Sequence, residues 1–291
     1  MMNVFALPDD LLNDNAVARQ DLIIHNYHTI DQQSVKAKVI ANRHVFNFLQ
    51  EGEKEVHFYN QSVKITPAQA LLIPAGNCLM SERPSHDKQY RTFLFLFSNA
   101  NLTTFRGKYP FLFTTDYKRA QDRSSFFLFN QDEFVRSFIH SLKQILPDHA
   151  SSTLAGHILQ IKFEEIMLYL CDRYPQDFLP LLASLTANSF DLPLRQVVEN
   201  NVYNNLSMEE LAFLCNMSLS TFKRKFEEVY DTPPARWFHL KRMQQAAFLL
   251  KHRNVKASEI HHELGYENLS SFVQAFKKEF GKTPKVYQQS V

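Results

Sequence analysis

The sequence predicts an α+β chain in two parts, a strand-rich antiparallel front and an all-α back made of two copies of one helical unit. Three observations predict it. Apolar side chains alternate with period two across much of residues 40–98. From Asp132 the period lengthens to that of a helix. Residues 207–237 are then repeated, largely aromatic for aromatic, in residues 256–287. With 291 residues, 45% hydrophobic and 21% charged, the chain suits two globular domains and excludes a disordered chain or a coiled-coil rod.

In the front, His44, Phe46 and Phe48 alternate with Val45, Asn47 and Leu49, and Phe93, Phe95 and Phe97 with Leu94 and Leu96. The breaks at Glu51-Gly52-Glu53, Asn60-Gln61, Pro74-Ala75-Gly76-Asn77 and Arg83-Pro84 separate short strands, the pattern of a sandwich or barrel. Both faces of the Phe93–Phe97 strand are apolar, so something covers its outer side. Asp132–Leu146 then reads as a helix with Phe134, Phe138, Ile139, Leu142 and Ile145 on one face. Ser152–Arg173 reads as a longer helix with two apolar stripes, Leu154-Ile158-Ile161-Leu168 and Leu159-Phe163-Ile166-Leu170. One stripe serves a core; the other either meets a further segment of the chain or a second subunit. Pro175 to Ser189 reads as a connector with one helical turn around Phe178–Leu185.

Charge permits a nucleic-acid partner without requiring one. Residues 184–291 carry 14 Lys and Arg against 11 Asp and Glu, and the remainder 18 against 19. Cys78, Cys171 and Cys215 are too few and too far apart for a disulfide scaffold or a Cys-x-x-Cys metal site, and are expected reduced. MMNVFALPDDLLNDN has neither a basic start nor an apolar core, so no signal peptide is expected. Apolar runs stay far below the roughly 20 residues of a membrane span. A cytoplasmic protein follows as the expectation.

In the back, Leu211 and Cys215 match Ile260 and Leu264. After a one-residue insertion, Phe222, Phe226, Tyr230, Pro234 and Trp237 match Phe272, Phe276, Phe280, Pro284 and Tyr287 at a constant offset. Ser207-Met208-Glu209-Glu210 is a capping box, in which hydroxyl and carboxylate each satisfy an orphan amide. Asn216 and its counterpart Gly265 tolerate the positive φ of a tight turn. Ser218 caps a second helix that buries Phe222, Phe226 and Val229 and leaves Leu219, Ser220, Thr221, Lys223, Arg224 and Lys225 outside. Tyr230-Asp231 and Phe280-Gly281 are left-handed helix ends. Pro233-Pro234 opens a third helix running to about His252. At 1.5 Å per residue it is a strut of roughly 28 Å. Adjacent major-groove faces of B-DNA lie about 34 Å apart, so one chain can place a helix in each of two grooves.

Two stretches carry a resemblance: LSMEELAFLCNMSLSTFKRKFEEVYDTPPARWFHLKRMQQAAFLL and KASEIHHELGYENLSSFVQAFKKEFGKTPKVYQ. Residues 190–291 resemble the DNA-binding domain of AraC/XylS-type bacterial transcription regulators. The resemblance implies two helix-turn-helix units joined by a linker helix, double-stranded promoter DNA as partner, and activation through contact with RNA polymerase. It places Ser220, Thr221, Lys223 and Arg224 at the bases from the first recognition helix, and Leu269, Ser270, Val273 and Gln274 from the second. Chemically, Arg224 can fork onto guanine O6 and N7, Lys223 can reach guanine or a phosphate, and Gln274 can pair with adenine. Leu269 and Val273 can only touch a thymine methyl or sugar, which makes the second helix the less discriminating reader. Lys277, Lys278, Lys282 and Lys285 suit phosphates or plain solvation. Two residues depart from the family pattern: Lys256 stands where Ser or Thr usually caps, and His261 where a small residue usually packs.

The front, through VKITPAQALLIPAGNCLMS, resembles the cupin-like sensor domains of the same family. That implies a small antiparallel barrel within residues 1–175, flanking dimerisation helices, a homodimer, and either a small-molecule effector or a regulatory protein as its signal. A pocket lined by one strand face would use His44, Phe46, Phe48, Phe93 and Phe95, with His44 or Arg91 orienting a polar group. The competing reading is that these phenylalanines fill a core. Metal chemistry is not expected: His44, His57 and His86 stand apart, and His261-His262-Glu263 point to different helix faces. No cofactor, no phosphate-binding Gly-rich loop and no GxSxG elbow is read, so no enzyme is expected.

Overall fold

Alternating strands build two sheets in the computed structural model, which describes residues 4–11, 16–19, 21–113, 125–148, 154–185, 194–204, 206–253 and 255–289. The first sheet runs in the order β1 (Val4–Leu7), β4 (Ser34–Ala41), β9 (Gly76–Arg83), β6 (Glu53–His57) and β7 (Ser62–Ile65). The second runs β11 (Phe127–Asn130), β8 (Gln69–Ile73), β5 (His44–Glu51), β10 (Gln89–Phe97), β3 (Leu22–Ile30) and β2 (Ala16–Arg19). Every pairing is antiparallel except β1 with β4. The strands thus form a two-sheet sandwich, not a closed barrel.

The chain crosses from β5 of one sheet to β6 of the other at Gly52, whose φ is +90°. A Cβ there would meet the Arg83 carbonyl oxygen at 2.6 Å, so glycine is required. Inner faces of the two sheets share one core, in which Val39, Val56, Ile65, Cys78 and Met80 of the first meet Ile23, Val45, Leu49, Leu71 and Leu94 of the second.

The outer face of the six-stranded sheet is as apolar as the inner, and helices cover it. These are α1 (Asn99–Lys108), α2 (Glu133–Asp148), α3 (Ala155–Arg173) and α4 (Pro175–Leu185). Phe163 of α3 reaches Phe97 at 5.0 Å between centroids, and Phe138 of α2 reaches Phe48 at 5.9 Å. The phenylalanine-rich strand is therefore sandwiched, as its two apolar faces require. The expected start of α3 at Ser152, the side chain of Ile145 and the connector beyond Leu185 lie outside the described residues.

Three expectations change. His44, Phe46, Phe48, Phe93 and Phe95 lie on the helix-covered face and not on the sandwich interior, because period two puts even positions of β5 and odd positions of β10 on that side. Arg91 is not with them; its side chain is half exposed and paired with Glu51 at 3.5 Å. The segment read as a connector instead docks: Phe178, Leu179, Leu181 and Leu182 of α4 join the same core, with Phe178 against Phe127 at 4.9 Å. On α3 the stripe Leu159-Phe163-Ile166-Leu170 is buried, while Leu154 and Ile161 of the other stripe are exposed.

The chain divides into two compact units, Met1–Phe190 and Asp191–Val291. The second holds helices and, among its described residues, no strand: α5 (Leu194–Asn200), α6 (Met208–Leu214), α7 (Leu219–Tyr230), α8 (Pro234–His252), α9 (Ala257–Ile260), α10 (Leu269–Phe280) and α11 (Pro284–Gln289).

Candidate nucleic-acid interface

Local chemistry starts and stops each helix of the first copy. Ser207 Oγ accepts from the Glu210 amide at 3.1 Å, and Glu210 Oε2 accepts from the Ser207 amide at 2.7 Å, the reciprocal box that opens α6. The turn that follows uses Asn216 at φ 55°, and Gly265 does the same in the second copy at φ 78°. Ser218 caps α7 by accepting from the Thr221 amide at 3.2 Å, and Asn268 caps α10 by accepting from the Ser271 amide at 2.9 Å. Asp231 (φ 52°) and Gly281 (φ 72°) end those helices left-handed.

The aromatic repeat closes two matching ring cages. Phe222–Phe226 centroids are 5.8 Å apart at 54°, and Phe272–Phe276 are 5.9 Å apart at 53°. Trp237 meets Phe226 edge-on at 5.7 Å and 79°, and Tyr287 meets Phe276 at 5.3 Å and 80°. Each cage locks its recognition helix against the helix that follows, α7 against α8 and α10 against α11. Gln288 then donates to the Leu250 and Val255 carbonyls at 3.1 and 3.2 Å, tying α11 to the end of the linker helix.

Burial on one side leaves the opposite side free. Ser220, Lys223, Arg224 and Lys225 are exposed on α7, with Thr221 half-buried. On α10, Leu269, Ser270 and Gln274 are exposed and Val273 half-buried. The structure thus brings the four expected positions of each copy onto one solvent-facing side. Val229 is a correction: it is 40% exposed, because it lies in the last turn of α7, where the stripe of Phe222 and Phe226 runs out past the cage. Lys277, Lys278, Lys282 and Lys285 are all exposed.

The two departures have visible effects. A lysine ammonium cannot accept a hydrogen bond, so α9 keeps only half a capping box, Glu259 Oε2 accepting from the Lys256 amide at 2.9 Å. His261 is buried and donates from Nδ1 to the Ser258 carbonyl at 3.0 Å, and α9 is four residues long where α6 has seven.

One partner was missed. Arg224 Nη1 donates to Glu228 Oε1 at 2.7 Å; the i,i+4 spacing was there to be read.

Two families match. Residues 44–180 match the ExsA N-terminal regulatory domain, and residues 211–290 match a helix-turn-helix domain; together they span well over half of the chain. The chain belongs to the AraC/XylS family of bacterial transcription regulators. As a member it is a DNA-binding transcription regulator with an N-terminal regulatory unit and a C-terminal helix-turn-helix unit that binds promoter DNA.

Among relatives, the HTH-type transcriptional regulator ExsA of Pseudomonas aeruginosa is 24% identical over 244 residues, 83% of this chain and 84% of its own. The virulence regulon transcriptional activator VirF of Yersinia enterocolitica is 27% identical over 184 residues, 63% of this chain and 66% of its own. ToxT from Vibrio cholerae O395 aligns over 92% of this chain and 98% of its own at 13% identity and a TM-score of 0.41, an overlap too loose to bear on the fold. Among the described residues no helix is long and apolar enough to cross a membrane, and no cluster of His, Cys, Asp or Glu is arranged to hold a metal ion.

At the front, His44 is fully buried and fully bonded: Nε2–H donates to Asn99 Oδ1 at 2.7 Å and Nδ1 accepts from the Ala75 amide at 3.0 Å. Burial lowers its pKa against the opposing pull of the Asn99 hydrogen bond. Phe46, Phe48, Phe93 and Phe95 are equally buried among rings, with Phe46 stacked on Phe48 at 6.0 Å and Phe95 at 6.3 Å from Phe138. Cys78, Cys171 and Cys215 are buried, and burial pushes each thiol up to about 12, which makes them poor thiolates.

Proposed function

We propose that this regulator is a cytoplasmic activator that works by binding alone, without catalysis, and acts as a homodimer that touches RNA polymerase at its promoters. In it α7 and α10 enter successive major grooves. Ser220, Thr221, Lys223 and Arg224 read one, and Leu269, Ser270, Val273 and Gln274 the other. The observation that carries the reading is the pair of matching ring cages, which holds two helices with their polar sides outward on either flank of one rigid strut. Arg224 is the strongest base reader, a guanidinium able to fork on guanine, and the exposed lysines of α10 and α11 serve as phosphate contacts.

The signal reaching the front unit is, on this reading, another protein. His44, Phe46, Phe48, Phe93 and Phe95 pack against one another and the covering helices, which favours a filled core over a ligand lining. A partner that prefers one of two states of the chain shifts the binding-competent fraction.

The test of the DNA reading is a gel shift with Arg224→Ala on a duplex selected from a randomised pool and on random duplex. Affinity for the selected duplex should fall by about 1–3 kcal/mol while random binding changes little. An equal loss on both would make Arg224 a phosphate contact.

A further inference from the structure

We infer that Glu228 is a specificity-determining residue of the first recognition helix, a positioning residue that aims the Arg224 guanidinium at a base and keeps it off the phosphates. The inference rests on the reading of Arg224 as a base contact. Arg224 Nη1 donates to Glu228 Oε1 at 2.7 Å, and the two side chains are 64% and 58% exposed on the side of α7 away from Phe222 and Phe226.

Stability does not account for the pair. An exposed i,i+4 pair adds little to a helix, and the arrangement with the cation N-terminal to the acid is the weaker one. Electrostatics makes the position more pointed. A carboxylate on the side that faces a phosphate backbone weakens binding to any DNA. The internal repeat supplies the comparison: at the constant offset, Arg224 corresponds to Gln274 and Glu228 to Lys278, which is exposed. The second copy thus has a cation where the first has an acid, and it has no arginine there to hold.

What the acid provides follows from the donor count. Glu228 engages one hydrogen of Nη1, leaving the other Nη1 hydrogen, Nη2 and Nε to fork on guanine O6 and N7. A guanidinium already fixed loses less rotamer freedom on binding. Released from Glu228, the long side chain swings to the nearest phosphate, a contact that adds affinity and carries no sequence information. Lys225, exposed beside Arg224, is placed to supply such a contact without it.

The experiment selects duplexes from a randomised pool with the full chain as wild type, Arg224→Ala, Glu228→Gln and Glu228→Asp, and measures affinity for the selected and random duplexes. Arg224→Ala should erase a guanine preference at one position of the motif. Glu228→Gln should weaken that same preference about tenfold, leave the rest of the motif in place, and bind random duplex several-fold more tightly. Glu228→Asp should recover part of the preference, and thermal melts should be unchanged throughout. Selection of the wild-type motif by Glu228→Gln, while Arg224→Ala loses the guanine, overturns the role of Glu228 alone. If Arg224→Ala also keeps the guanine, the base contact itself falls and the positioning role with it.

Discussion

Asn47 sits fully buried on the inner face of β5, in register with Leu71 on one side and Leu94 on the other. Neither its amide nitrogen nor its oxygen has a hydrogen-bond partner among the described residues. A buried amide left in that state costs about 1–3 kcal/mol, and an apolar group of similar shape removes the cost. Asn47→Leu should therefore raise the unfolding free energy of the full chain by about 1–2 kcal/mol in a urea titration. A loss of stability would mean that the amide is bonded to something other than these residues. His44, on the opposite face of the same strand, predicts a pH dependence. Burial holds its pKa below the ordinary 6.5, so the unfolded chain takes up the proton first. The stability it contributes is present above about pH 6.5 and is lost as pH falls through the lower folded value. Scanning calorimetry from about pH 7 to 5 should show a falling Tm, and His44→Gln should flatten the fall; identical slopes would acquit the imidazole. That His44 is a bonded core residue was only one of two readings open in the sequence, because its partners Asn99 and Ala75 lie 55 and 31 residues away.

At the scale of elements, the repeat lets one copy serve as control for the other. Asp231 bears a steric cost at φ 52° that Gly281 at φ 72° avoids. Asp231→Gly should stabilise the helical unit by up to about 1 kcal/mol, and Gly281→Ala should destabilise it by a similar amount. Nothing lies within 4 Å of a Cβ at Gly281, so that second cost is backbone alone. Urea melts followed by circular dichroism would measure both, and two unchanged midpoints would remove strain from the account. Trp237 touches Phe226, Tyr230 and Phe238, so Trp237→Ala should cost about 3 kcal/mol and abolish DNA binding; retained affinity would refute the cage as the device that sets α7. Caps and turns of this kind were legible in the sequence because each depends on residues a few positions apart. Strands β1 to β4, strand β11 and helix α1 were not, since their short apolar runs gain meaning only from the partners across the sheet. Val229 was misplaced for a related reason: helical periodicity gives a stripe, and the neighbouring helix decides where the stripe ends.

For the whole molecule, the exposed Ile161 of α3 and Leu154 just before it bear on assembly, while Ile158 and Leu168 of the same stripe pack on the front core. Within the proposed homodimer Ile161 and Leu154 are what a second copy covers, and native mass spectrometry of the full chain should give twice the chain mass with no small molecule retained. Ile161→Glu should give single-chain mass and weaken binding to paired sites more than to one. A wild-type monomer, or a dimer indifferent to Ile161→Glu, would move the interface elsewhere.

The sequence by itself determined the two-part organisation, the internal repeat, the helix caps and turns of the DNA-binding unit, and the outward residues of both recognition helices. All of these follow from periodicity, φ preference and hydrogen bonds within a few residues. Tertiary structure decided that the strands form two open sheets, that α4 belongs to the front core, and that the phenylalanines of β5 and β10 meet helices. Those outcomes depend on which apolar face packs against which. The hydrophobic effect is non-directional, so a run of apolar residues states that it will be buried and leaves its partner to the fold.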